Sequence, residues 1–180
     1  MMETKELISL EPEKRIDFPN LLVRTHFGNV FFQSMIKNKR TIVYINPSEI
    51  IPQDNSEKNK FLEGLRLLKA LNFNLIGFNR KSFDEHLRSV NWVNSYLSED
   101  LVFPIFYQTK QETSTNPLGQ LNEMAGYKNP VFFLDKHGSI IKVLNGIKPE
   151  TRSLEKIARL ASEMVLGEQD FKKERALRDN

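Results

Sequence analysis

Apolar residues along this chain fall into short buried runs and longer helical stripes that alternate. Thr41–Asn46 is rich in β-branched and aromatic side chains and lacks strict polar alternation, the pattern of a central strand covered on both faces. Residues 56–71 then carry Phe61, Leu65 and Leu68 at i, i+4 and i+7, with Leu62 and Leu71 widening the stripe, which predicts an amphipathic helix. Gly64 interrupts that helix at a cost in propensity and marks a place of close packing. A second buried strand is expected over Phe73–Phe78. After the loop Gly77–Ser82, a helix is expected over residues 83–96, with Ser82 as N-cap, Glu85 at capping-box spacing, and Leu87, Val90 and Val93 or Trp92 buried.

The second half continues the alternation. Leu101–Phe106 reads as a short strand, with Pro104 placing it at a sheet edge or strand end. Residues 107–117 are polar and loop-like, and a short helix is expected over 117–125. Pro130–Asp135 and Ile140–Leu144 form two strands of a hairpin turned by Lys136–Ser139. Pro149 opens a last helix with Leu154, Ile157, Ala161 and Met164 on one face. Towards the N-terminus, Ile16–Val23 suggests a short extended segment, Arg24–Asn29 a turn and Val30–Gln33 an edge strand. Strands alternating with helices, then a hairpin and a final helix, argue for one central sheet with helices on both faces.

Three segments follow: a charged, flexible segment at residues 1–15, one domain over 16–166, and a charged tail over 167–180 that is a solvated helical extension or a frayed end. A length of 180 residues suffices for one real core. The net charge of +3 falls well short of a nucleic-acid footprint. No stretch approaches the run of about 20 apolar residues that spans a membrane. A cytoplasmic setting is the expectation.

Composition changes the picture most through what is missing. The chain has no cysteine, so disulfides, thiolate metal sites and a cysteine nucleophile are excluded within it. His26, His86 and His137 lie on three different elements without the paired spacing of a metal site, so no metal or cofactor is expected. Lys37, Lys39, Arg40, Lys58, Lys60, Arg80 and Lys81 read as solvated charges, with convergence on an anion as the alternative. Of the phenylalanines, Phe31, Phe32, Phe106 and Phe171 are the ones whose exposure would indicate a partner surface.

Taken together and in order, several segments resemble the peroxiredoxins, and among them the bacterioferritin-comigratory (Q-type) branch. Ile16-Asp-Phe-Pro19 resembles the family's opening segment. Gly28-Asn-Val30 resembles its strand entry, and Asn38-Lys39 with Thr41–Pro47 its Gly-Lys, strand, Tyr-Pro run. Gly77-Phe-Asn79 with Ser82 and His86, Phe103-Pro104, and Phe132–Asp135 with Gly138 and Ile140-Ile141 resemble the segments that follow. The match covers about residues 16–160. It implies a thioredoxin-like α/β fold, a mixed sheet flanked by helices on both faces.

The departures fall on the chemistry. The family's Pro-x-x-x-Thr/Ser-x-x-Cys signature reads here Pro47-Ser-Glu-Ile-Ile51-Pro-Gln-Asp54. Pro47 is kept, Ile51 replaces the hydroxyl residue, and Asp54 stands at the peroxidatic cysteine position. The second cysteine of many Q-type members falls on Asn59, and the family's arginine on Asn129 or, one residue earlier, Lys128. A thiolate at a helix N-terminus attacks the peroxide O–O bond and cycles through a sulfenic acid; a carboxylate does neither. Asp54-Asn-Ser-Glu57 has capping-box spacing, so Asp54 is expected to cap the following helix. Asn129-Pro130 resembles the place where thioredoxin-like folds often carry a cis proline, which makes that bond a cis candidate.

These departures imply a catalytically inactive member that serves as a binding or assembly module. Its partner would be an unidentified protein, in a larger complex or an active relative, and not a nucleic acid. The alternative is an enzyme with changed, non-thiol chemistry, in which a pocket between Pro47, Asp54 and Asn129 uses Asp54 as acid or base. A thiol peroxidase reading carried by family resemblance alone is unsupported by the residues present.

Overall fold

The computed structural model describes residues 7–20, 22–25, 28–36, 38–52, 54–80, 82–107, 129–145 and 153–178. Among them run β1 (Leu7–Ser9), β2 (Leu22–Thr25), β3 (Gly28–Phe31), α1 (Phe32–Ile36), β4 (Thr41–Ile45), α2 (Asn55–Ala70) and β5 (Asn74–Asn79). The chain continues with α3 (Phe83–Tyr96), β6 (Ile105–Tyr107), β7 (Val131–Leu134), β8 (Ile140–Leu144) and α4 (Leu154–Arg178). Short 3-10 turns cover Pro12–Lys14 and Pro47–Glu49.

Six strands form one mixed sheet in the order β1-β8-β7-β4-β5-β6, and β2 and β3 make a separate hairpin. β4 is central. It runs parallel to β5 with Thr41 opposite Asn74, and antiparallel to β7 with Thr41 opposite Leu134. Every residue of β4 is buried, as its unbroken apolar run requires. β7 and β8 form the expected hairpin. Asp135 Oδ1 accepts from the backbone of His137 and Ser139, and Gly138 takes a φ of 90° that favours glycine.

The sheet separates two apolar layers. On one face, Phe61, Leu65 and Leu68 of α2, Val93 of α3 and Leu154, Ile157, Ala158, Ala161 and Met164 of α4 cover Ile42, Tyr44 and Phe133. On the other, Phe18, Val23, Phe32 and Ile36 cover Val43, Ile45, Phe78 and Phe132. Phe18 is the keystone of that second layer, with its ring 4.8 Å from that of Phe32 and 5.5 Å from that of Phe132. Among the described residues, α2, α3 and α4 cover one face and the one-turn α1 lies on the other.

Several expectations shift. Leu7–Ser9, inside the segment read as flexible, is an edge strand paired with β8, Leu7 opposite Leu144. The strand expected over Val30–Gln33 ends at Phe31, and Phe32 opens α1 because its ring belongs to the Phe18 layer. β6 begins at Ile105, after Pro104, whose carbonyl accepts the Gly77 amide. Leu87 is exposed rather than buried. Ser89 takes the inward position instead, its hydroxyl donating to the Glu85 carbonyl one turn back. Residues 168–178 of the charged tail continue α4 without a break. The helix expected over 117–125 lies outside the described residues, as do Lys37, Lys81, Lys128, Pro149 and His26.

Candidate functional site

The site assigned by the sequence is the junction between β4 and α2, at the C-terminal ends of the parallel strands. β4 ends at Asn46, which takes a left-handed φ of 53° and turns the chain into Pro47–Glu49. Pro47 is buried against β5 so closely that a β-carbon at Gly77 would lie 2.8 Å from its Cγ. Ile51 is buried too. It lines a cavity of about 450 Å³ between the 3-10 turn and α3, with Ser48, Pro52, Glu85, Arg88 and Trp92. No hydroxyl stands at the Ile51 position to orient a substrate.

Asp54 caps α2, as its spacing predicts. Its Oδ1 accepts from the amides of Ser56 at 2.9 Å and Glu57 at 3.0 Å, and from the Ser56 hydroxyl at 2.7 Å. The side chain is exposed. The Ser56 hydroxyl and the Glu57 amide hold its carboxyl below the usual aspartate range. Such a group is ionised at neutral pH and weakly basic, the opposite of a poised general acid. The amides that would face a thiolate are already engaged.

Asn129, one of the two positions onto which the resemblance would place an arginine, takes part in a hydrogen-bonded junction. Its Oδ1 accepts from Asn46 Nδ2 at 2.6 Å, while Asn46 Oδ1 accepts from the Arg80 amide at 2.8 Å. The Asn46 amide donates to the Phe78 carbonyl, and the Ile45 amide to the Pro130 carbonyl. Asn46 thus fastens the ends of β4 and β5 to the start of β7. Asn129 also has a left-handed φ, of 45°, and the Asn129–Pro130 bond is trans, not cis. The structure brings Pro47 and Asn129 to the same junction around Asn46, while the Asp54 carboxylate turns to its own helix.

Sequence reasoning passed over Asn46 and Asn79. Each Asn-Pro step, at 46–47 and 129–130, is a turn signal that would have marked the pair. Asn79 is 1% exposed at the end of β5, and neither atom of its carboxamide has a hydrogen-bond partner. Ser48 Oγ and His86 Nδ1 share that condition. His86 stacks on Tyr107 at 5.3 Å, and burial pushes its pKa below the ordinary histidine value. Nothing in the sequence singles out Asn79.

Two of the described basic residues have partners of their own. Arg40 pairs with Glu168, and Lys58 lies over the ring of Tyr96. Among the described residues, no group of three or more histidines, aspartates or glutamates has the geometry to hold a metal ion, and no helix is long and apolar enough to cross a membrane. Phe31 and Phe171 are exposed, whereas Phe32 and Phe106 are buried.

A mixed sheet with this order, and a helix starting at the end of its central strand, defines a thioredoxin-like α/β protein. No family model matches the chain. The structure is similar to that of a secreted thiol-disulfide isomerase from Corynebacterium glutamicum, with a TM-score of 0.52 and 13% identity over 90% of this chain and 95% of that one. It is also similar to a yeast mitochondrial 1-Cys peroxiredoxin, with a TM-score of 0.55 and 16% identity over 86% of this chain and 76% of that one. In sequence, Peroxiredoxin 1 of Picrophilus torridus is 26% identical over 151 residues, 83% of this chain. In sequence, then, the chain is similar to the peroxiredoxins. It spans about two thirds of the length of that relative, 66%.

Proposed function

We propose that this protein is a peroxiredoxin-like scaffold without thiol peroxidase activity, related to the Q-type branch, that acts in the cytoplasm as a binding or assembly module for another protein. One observation carries the reading. Asp54, which the resemblance sets at the peroxidatic cysteine position, is committed to capping α2 in a chain with no cysteine. Breaking a peroxide O–O bond needs a nucleophile that takes up the oxygen and a reductant that returns it. An ionised, capped aspartate supplies neither.

The test is peroxide consumption by the purified chain, with hydrogen peroxide and with an alkyl hydroperoxide, in the presence of a dithiol reductant. Consumption at the level of the heat-inactivated chain is expected; turnover well above that level would refute the reading. Affinity capture from native cells addresses the module itself, for which a partner retained in stoichiometric amount is expected.

A second reading, a small polar ligand in the cavity beside Ile51, is favoured by Ser48 Oγ, a buried hydroxyl of a cavity-lining residue with no partner. A ligand that raises the melting temperature of the wild type but not of Ser48→Ala would support it.

A further inference from the structure

α4 outruns the domain it packs on. Its buried positions end at Met164, and the ion pair between Glu168 and Arg40 ties its inner face to the residue preceding β4. Each helical residue turns the chain by about 100°, so positions 166, 170, 173 and 177 all lie within about 40° of the direction opposite Glu168. They form one stripe that points away from the domain. Its residues are Leu166, Asp170, Lys173 and Leu177, all exposed, with Leu166 at 57% and Leu177 at 78%.

That stripe reads the same in reverse with its charges exchanged. Two copies of α4 laid antiparallel put Leu166 of one copy against Leu177 of the other, and Asp170 against Lys173. The twofold axis repeats both contacts. The 4-3-4 spacing is that of a coiled-coil seam, in which the outer leucines give apolar contact and the central charges fix the register. The domains sit behind the two helices, on opposite outer sides, so the seam can close without bringing them into collision.

We propose that residues 166–177 are a self-pairing surface that joins two copies of this chain through an antiparallel helix contact. The interface is isologous. It spans about 16 Å of helix, small beside standard interfaces, so its dissociation constant is on the order of 100 µM. The proposal is independent of the reading of the β4–α2 junction.

Sedimentation equilibrium of the full chain, from about 10 µM to about 1 mM around that constant, tests it. A monomer–dimer equilibrium is expected for the wild type. Asp170→Lys and Lys173→Asp each set like charges against each other twice, and each weakens dimerisation about tenfold or more. The double variant Asp170→Lys/Lys173→Asp restores the opposite pairs and recovers dimerisation. Leu177→Ser weakens it without changing charge. Circular dichroism of each variant checks that the helix is intact. A wild type that stays monomeric throughout overturns the pairing and leaves the stripe to a different protein. Single reversals that dimerise like the wild type, or a double variant as weak as the singles, overturn it as well.

Discussion

Asn46 holds a left-handed backbone and two side-chain hydrogen bonds at once, and substitutions separate the two contributions. Glycine keeps the conformation and loses both bonds. Alanine loses the bonds and adds the strain of a β-carbon at positive φ. Asn46→Gly is expected to lower stability by about 1–3 kcal/mol, and Asn46→Ala by about 1 kcal/mol more, in urea unfolding. Equal losses would mean that the positive φ is easily relieved. His86 carries a pH dependence. Burial lowers its pKa in the fold, so the unfolded chain binds more protons in the window below the ordinary histidine pKa of about 6.5. Stability is therefore full above that value and falls as the pH drops through it. His86→Phe keeps a ring beside Tyr107 and removes the titration. Urea midpoints measured as the pH falls from neutral through and below the ordinary histidine pKa should drop more steeply for the wild type than for the variant. Parallel profiles would assign the acid sensitivity to other groups.

The packing of α2 on α4 depends on Gly64. A β-carbon there would come within 3.0 Å of the Leu154 carbonyl group and 3.2 Å of the Glu155 nitrogen, all backbone atoms that cannot rotate aside. Gly64→Ala improves helix propensity by about 1 kcal/mol yet forces the two helices apart. A net loss of about 1–3 kcal/mol is expected from chemical denaturation, and a gain would mean that α4 slides freely on α2. This close approach was legible in the sequence, because a glycine inside an otherwise well-formed helix needs a packing reason. The starts of α2 and α3 were legible for another reason. Asp54 and Ser82 act within three residues of themselves, so the cap is written locally. Elements governed from a distance were not. Leu87 fits the apolar stripe of α3, but packing turns Ser89 and Val93 inward and leaves Leu87 exposed, with the Ser89 hydroxyl satisfied by the Glu85 carbonyl of its own helix. Phe31 and Phe32 look alike in sequence, and contacts with distant rings, those of Phe18 and Phe78, go with the one that is buried.

At the scale of the whole molecule, the layered sheet could be read from runs of apolar residues. The wiring among Asn46, Arg80 and Asn129 could not, because it joins three loops far apart in the chain. β1 is the extreme case. Its pairing with β8 sets Leu7 beside Leu144, so its three residues carry no local sign of being a strand. That pairing bears on how the protein is made. Leu7–Ser9 is the first described strand to leave the ribosome, and among the described residues its neighbour is the last. At typical rates of synthesis it waits on the order of ten seconds for a partner. A long apolar edge would spend that time recruiting other nascent chains. A three-residue strand flanked by Lys5, Glu6, Glu11, Glu13 and Lys14 is poorly suited to do so. The charge of the N-terminal segment therefore acts as a guard, keeping the sheet's outer edge vacant until the hairpin that completes it has been translated.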